Sequence, residues 1–390
     1  MSLHLSRRHE MVTQSEIRSM SLECSLQGGL NLAQGVCDTP VPEAVLRGAT
    51  EAIEAGMNTY TPHTGIPELR QAIADKQERL YGMACDPESE IVVTAGATGA
   101  LYSAFQALLE PGDEVILFEP FYGYHLTTLR SAGAVPVFVP LEAPGWSVGE
   151  GELEAAITPK TRGIIVNTPA NPCGKVFSRG ELEAVADVAI RHDLFVFTDE
   201  IYEHFLYDGL VHVPMATLPG MRERTVTISG ASKTFSVTGW RIGWAIADRR
   251  WAPAIGHFSD LCYVCAPAPL QAGVARGMEE LGWEYYRGLG LEYRLKRDRF
   301  CRALQDAGLA PFVPDGAYYV LADVSSVPGR SARERAMHIL RTAGVASVPA
   351  TAFYGGGKGE SLVRFCYAKE DAVLDEACRR LREYALHATD

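Results

Sequence analysis

From Glu90 to Ile228 the chain repeats one unit, a short apolar run followed by a stretch with helical spacing. The runs are Ile91 to Thr94, Glu114 to Phe118, Val135 to Val139, Gly163 to Val166, Leu194 to Phe197 and Thr225 to Ile228. Thr98 to Leu109, Tyr124 to Ala132 and Arg179 to His192 are the helical stretches between them. Mostly apolar runs separated by helices belong to strands covered on both faces. The pattern therefore predicts an α/β fold with a mainly parallel sheet. Such a sheet brings the carboxyl ends of its strands and the N-termini of the following helices to one edge, where ligands bind.

The flanks read differently. Residues 1 to about 30 are weakly patterned, and Leu30 to Asp38 reads as an arm or loop before Pro40 and Pro42. Glu43 to Ala55 has helical spacing, and Asn58 to Arg70 is turn-rich, with Pro67 placed to open a helix. After Pro267 and Pro269 the period lengthens into helices from Leu270 to Leu281 and Trp283 to Ala307. A smaller α+β unit follows, with strands Ala317 to Leu321 and Leu362 to Cys366 and a terminal helix from about Ala372. At 390 residues there is room for two domains.

Several functions are disfavoured. The net charge is -12 and no Lys/Arg cluster interleaves with aromatics, so neither nucleic acid nor an anionic membrane is expected as a partner. No run approaches the ~18 apolar residues of a membrane span, and Met1 to Glu10 has no apolar segment behind it to make a secretion signal. Nine cysteines without framework spacing read as reduced thiols of a cytoplasmic protein. The ten histidines show no metal-ligand spacing, so no metal is expected.

The loops after the strands carry the chemistry. Ala95-Gly96-Ala97-Thr98 opens a helix with small residues, which suits a phosphate at the helix N-terminus or a plain tight turn. Glu119-Pro120-Phe121-Tyr122 brings aromatics, either for a flat ligand or for the edge of a core. Asn167-Thr168-Pro169-Ala170-Asn171-Pro172-Cys173-Gly174 is turn chemistry with two amides. Thr198-Asp199-Glu200-Ile201-Tyr202 sets a carboxylate three residues from a phenol, where the acid could equally be a cap or an ion-pair partner. Finally, Ser229-Gly230-Ala231-Ser232-Lys233 leaves the strand Thr225 to Ile228 with one lysine among small residues, followed by Gly239-Trp240-Arg241. Little bulk surrounds that amine, so a carbonyl could reach it, as imine chemistry requires.

The pattern Ser-Lys-x-x-x-x-x-Gly-x-Arg at 232–241 resembles the lysine segment of the fold-type I, pyridoxal phosphate (PLP) dependent aminotransferases of class I and II. The Asn-x-Pro-x-Asn-Pro-x-Gly at 167–174 and the Asp-x-x-Tyr at 199–202 match the same family, in its order. The resemblance implies a large PLP-binding domain, residues 41–280, with a seven-stranded mainly parallel sheet. It implies a small α+β domain from both termini, residues 1–40 and 281–390, and a homodimer with composite sites. It places PLP on Lys233 through an imine and its phosphate on Gly96, Ala97, Thr98, Ser232 and Arg241, with Ser229 as a further candidate. Tyr60 would reach the phosphate of the neighbouring subunit. Tyr122 would stack on the pyridine, Asp199 would pair with the pyridine nitrogen, and Asn171 and Tyr202 would bond the phenolate oxygen. Arg364, in Leu362-Val363-Arg364-Phe365-Cys366, would clamp the substrate carboxylate beside Gly35 and Asn171. Val36-Cys37-Asp38 departs from the commoner Phe-Pro-Asp, and Cys173 stands where threonine is commoner.

What the resemblance implies chemically is exchange of an amino group between an L-amino acid and a 2-oxo acid. Proton removal at Cα also permits β-elimination, as in related C-S lyases, or ring closure. A non-catalytic PLP-binding sensor and a nicotinamide dehydrogenase are readings of another class. No DNA-binding module precedes the domain, and no G-x-G-x-x-G follows a first strand. The absence of a second arginine in a recognised motif, with Tyr60, Tyr122, Tyr124, Tyr263, Tyr318 and Phe353 near the expected pocket, favours a neutral or aromatic substrate. Arg18 or a neighbouring subunit could still supply a distal cation.

Overall fold

The computed structural model describes residues 3–5, 9 and 15–387. The first strand, β1 (Leu30–Asn31), belongs to a small pair described below. The main sheet comprises β2 (Ile91–Ala95), β3 (Glu114–Glu119), β4 (Val135–Pro140), β5 (Thr161–Asn167), β6 (Phe195–Asp199), β7 (Thr225–Gly230) and β8 (Ile242–Ile246). Their spatial order is β2-β8-β7-β6-β5-β3-β4. Strands β7, β6, β5, β3 and β4 run parallel, and β8 runs antiparallel to both its neighbours, β2 and β7. Every residue of β6 and β7 is buried, the polar Thr198, Asp199, Thr225, Thr227 and Ser229 included, as in strands covered on both faces.

The helices around the sheet begin where local chemistry allows. Arg179–Arg191 starts with a reciprocal capping box between Ser178 and Glu181, which satisfies two otherwise orphaned N–H groups. Pro67–Tyr81 opens on its proline, which has no N–H to lose, and closes on Gly82 in the left-handed conformation.

A second sheet lies wholly in the C-terminal third. Its strands β9 (Ala310–Phe312), β10 (Tyr319–Asp323), β12 (Val348–Pro349) and β13 (Leu362–Cys366) are antiparallel in the order β12-β13-β10-β9. In sequence between β10 and β12, β11 (Val345–Ala346) pairs in parallel with β1, so the segment at residue 30 joins the C-terminal third.

Several elements depart from the sequence expectation. Glu16–Gln27 is a helix within the stretch read as unpatterned; it buries only Met20 and Cys24, one turn apart, and so carries little periodic signal. Strand β8 lies hidden behind the lysine motif, because Arg241 at φ 57° turns the chain back just before it. The helices Ala252–Tyr263 and Ala332–Ala343 were also unanticipated. The strand expected over Ala317 to Leu321 begins at Tyr319: Ala317 is left-handed, at φ 56°, and its N–H is given to Phe205 O at 2.9 Å.

Candidate active site

Strands β2, β3, β5, β6 and β7 end at Ala95, Glu119, Asn167, Asp199 and Gly230, all on one edge of the sheet. Because β8 runs the other way it begins at that edge, and Arg241, the residue before it, joins the others. The direction of one strand thus unites the two ends of the lysine motif.

At the end of β2 the helix Gly96–Leu108 presents the free N–H groups of its first turn. Gly96 has φ 75°, and a Cβ there would lie 2.2 Å from Arg241 Nη2. A Cβ on Gly243 would lie 2.4 Å from Ala97 N. The two glycines hold open the approach of a guanidinium to a helix N-terminus, a cradle matched to a phosphate. Arg241 donates to Thr238 O at 3.0 Å and Ala95 O at 3.4 Å, and no carboxylate pairs with it among the described residues. Thr98 and Ala97 are half-buried, and Ser232 is buried in the short helix Ala231–Thr234 that carries Lys233. Ser229 is not available to a ligand in the same way, since its hydroxyl donates to Glu203 Oε1 at 2.9 Å.

The middle of the crevice is built on Asp199. His125 Nε2 lies 2.8 Å from its Oδ2, and the N–H of Ile201 donates to Oδ1 at 3.3 Å. Asn167 Nδ2 donates to Asp199 O at 2.8 Å, while Asn167 Oδ1 accepts from the N–H of Asn171 at 2.8 Å. One amide thereby locks two strand ends together. The Tyr122 ring meets His125 edge-on, with centroids 5.4 Å apart. Tyr202 and Tyr319 share a hydrogen bond of 2.9 Å between hydroxyls. Burial raises both phenols above the ordinary tyrosine value, so they keep their protons as donors.

Arg364 is 0% exposed. Its Nη1 donates to Asn171 Oδ1 at 2.9 Å and its Nη2 to Ala33 O at 2.6 Å, while Nε has no partner. The guanidinium lies 4.4 Å from the Tyr319 ring and 4.9 Å from the Phe353 ring. No carboxylate forms an ion pair with it among the described residues. A fully buried cation without a counter-ion is costly, and an incoming carboxylate relieves the cost. Two residues beyond Ala33, Gly35 O accepts from Lys233 Nζ at 2.9 Å. A Cβ on Gly35 would collide with Tyr319 OH at 1.9 Å, so this close approach of the N-terminal loop demands glycine. Burial lowers the Lys233 amine below the ordinary lysine value; nearby Cys37 and Cys366 oppose the shift, while Arg241 and Arg364 add to it.

A sequence profile of the family described as aminotransferase class I and II matches residues 27–381. The chain belongs to this family. These enzymes move an amino group between an amino acid and a 2-oxo acid, and the same activity names this chain's relatives. Kynurenine–oxoglutarate transaminase 3 of Mus musculus is 39% identical over 389 residues, covering 89% of this chain and 83% of its own. The structure of N-succinyldiaminopimelate aminotransferase from Mycobacterium tuberculosis matches with TM-score 0.94 at 37% identity, over 98% of this chain and all (100%) of its own. An Escherichia coli protein with a methionine aminotransferase function matches with TM-score 0.93 at 32% identity, over 98% of this chain and 100% of its own.

In this aminotransferase the hydrogen bonds and ring contacts above join Gly35, Tyr122, Asn171, Asp199, Tyr202, Lys233, Arg241 and Arg364 to one crevice. Tyr60 takes part in none of these contacts and is 80% exposed. Sequence reasoning missed His125, Asn167 and Tyr319. His125 stands three residues after Tyr122, at the start of a helix, and that spacing was the available signal. Nothing local announces that Tyr319 meets Tyr202, 117 residues away. Among the described residues no group of His, Cys, Asp and Glu could hold a metal, and no helix is long and apolar enough to cross a membrane.

Proposed function

We propose that the protein is a homodimeric, cytoplasmic, PLP-dependent aminotransferase acting on a neutral or aromatic L-amino acid. One observation carries the reading. Arg364 and Lys233 bond carbonyls only two residues apart, Ala33 O and Gly35 O, so the carboxylate and the amine of a single α-amino acid have adjacent receptors. The cofactor fits the residues present: the Gly96/Gly243 cradle beside Arg241 suits its phosphate, and Asp199, fixed by His125, suits a ring nitrogen. Bound there, PLP supplies an electron sink that makes the substrate Cα–H acidic. Lys233 Nζ holds and moves that proton, and its lowered pKa favours the neutral amine that does so. Arg364 orients the carboxylate, and Asn171, with Oδ1 committed to Arg364, keeps Nδ2 as a donor into the crevice. Tyr202 shares a hydrogen bond between hydroxyls with Tyr319, and with Tyr319 as that bond's donor it would keep its own proton to give to the cofactor.

Three further points belong to the proposal. The exposed Tyr60 is supported as a contact to a second subunit's phosphate site. The division at 40/41 and 280/281 is supported by the pairing of β1 with β11 and by a second sheet built entirely after residue 281. The neutral pocket is supported by Tyr319 and Phe353 around Arg364 and by Arg18 lying exposed on the helix Glu16–Gln27. The kynurenine and methionine names among the relatives point the same way.

Absorbance of the PLP-loaded protein, followed with aspartate, glutamate, methionine, glutamine, phenylalanine and kynurenine, tests the reading. The expected result is conversion of bound PLP to pyridoxamine phosphate, fastest with a neutral or aromatic donor. Release of pyruvate and ammonia instead assigns elimination, and aspartate leading by about tenfold or more overturns the neutral pocket. Borohydride reduction and peptide mapping must find the modification on Lys233.

A further inference from the structure

Arg364 lies on β13, whereas the residues suited to the cofactor lie on the main sheet, so something must hold the two sheets in register at the crevice. Chain 350–361 leaves β12 and returns on β13, the two strands that meet at Val348 and Arg364. It begins with the 3-10 turn Ala350–Phe353, whose Phe353 ring packs against the Arg364 guanidinium. Its tip lands on the end of β3. There Glu119, 1% exposed, accepts from the N–H of Gly355 and from Lys358 Nζ at 2.9 Å, and the N–H of Phe121 donates to Phe353 O at 2.8 Å. Gly355 is required for this docking, since a Cβ would meet Phe138 at 2.8 Å and Glu119 Oε1 at 3.0 Å.

We infer that Glu119 is a positioning residue for the substrate carboxylate: it anchors the 353–359 loop and, through Phe353, holds Arg364 in place without touching substrate. A buried carboxylate taken up by a backbone N–H and an ammonium fixes a loop more firmly than neutral contacts do. The tip itself offers little else, because three of its glycines, Gly356, Gly357 and Gly359, adopt positive φ and carry no side chain to pack. Lys358 is 58% exposed, so its share of the anchor is screened by salt, while the Gly355 contact is not.

This inference rests on the proposed role of Arg364, and the test separates the two. The PLP-loaded full-length protein is titrated with 3-phenylpropionate, a carboxylate without an amine, and its steady-state kinetics are measured with a donor and a 2-oxo acid. In Glu119→Ala and Gly355→Ala, the Kd for 3-phenylpropionate and both KM values should rise together by roughly tenfold, with kcat within about twofold and PLP retention unchanged. Lys358→Met should show a smaller rise and lose the salt dependence of KM. Folded Glu119→Ala and Gly355→Ala proteins with unchanged Kd and KM overturn the inference and leave the function standing. Loss of PLP in step with the rise in KM also overturns it, by assigning Glu119 to the Tyr122 loop. Wild-type protein that neither transaminates nor binds the carboxylate overturns the aminotransferase reading, and this one with it.

Discussion

Lys76 and Arg364 are both buried cations, at 2% and 0% exposed, and they are treated in opposite ways. Lys76, on the helix Pro67–Tyr81, has a carboxylate partner in Glu203 at 2.5 Å. Glu203 also accepts from Tyr81 OH at 2.6 Å and Ser229 Oγ at 2.9 Å, so its carboxylate has three donors. Arg364 has two carbonyl-type oxygens, two aromatic faces and an unpartnered Nε. The first arrangement is finished by folding and ties the loop after β6 to the end of β7. The second is left incomplete, and under the proposed function a ligand carboxylate would finish it. A buried charge points to function when the fold has not neutralised it.

The largest effect should come from breaking the finished pair. Glu203→Gln leaves Lys76 as an uncompensated buried charge and should lower stability by about 3–5 kcal/mol in urea unfolding. Replacing both partners, as in Lys76→Met with Glu203→Leu, should recover most of that loss, because two apolar groups need no counter-ion. Arg364→Leu should do the reverse. Stability should stay within about 1 kcal/mol of wild type or rise, while kcat/KM falls by the equivalent of about 2–5 kcal/mol. Equal damage to both quantities in both variants would erase the distinction.

Smaller effects sharpen it. Ser229→Ala removes one donor from Glu203 but spares Lys76 and Tyr81, so a loss of about 1–2 kcal/mol is expected in the same unfolding assay. Acidification should act strongly on the Lys76 region. Burial lowers the His204 imidazole to about 3, against the pull of Glu203. Burial would raise the Glu203 carboxyl, but Lys76, His204 and His212 outweigh it and hold it well below the usual range. In both cases the unfolded chain binds the proton more readily than the folded one, so stability falls as pH falls. The decline should begin near the ordinary histidine pKa of about 6.5 through His204 and steepen near about 4.3 through Glu203. Urea midpoints between pH 8 and pH 4 should show it in wild type, and His204→Phe should remove the earlier phase.

The loops at 95–98, 119–122, 167–174, 199–202 and 229–241 were legible because each follows a short apolar run and changes abruptly to small or polar residues. Their meeting at one edge followed from parallel strands. Strand β8 was not legible, although it brings Arg241 to Gly96, because its five residues follow the motif without a turn signal of their own. Tyr60 could be named from its motif, yet it is 80% exposed and joins none of the crevice's hydrogen bonds or ring contacts among the described residues.

By itself, then, the sequence determined the α/β class, the strand-end loops and the place of Lys233, the lysine proposed for the chemistry, since apolar periodicity and turn residues act over a few positions. Only the tertiary structure decided which charges are neutralised. Lys76 and Glu203 are 127 residues apart, and Arg364 and Asn171 are 193 apart. Whether a buried cation finds a carboxylate or an amide depends on which helices, strands and loops the fold brings together. Hydrogen bonds and ion pairs form over about 3 Å, and no pattern along the chain encodes that distance.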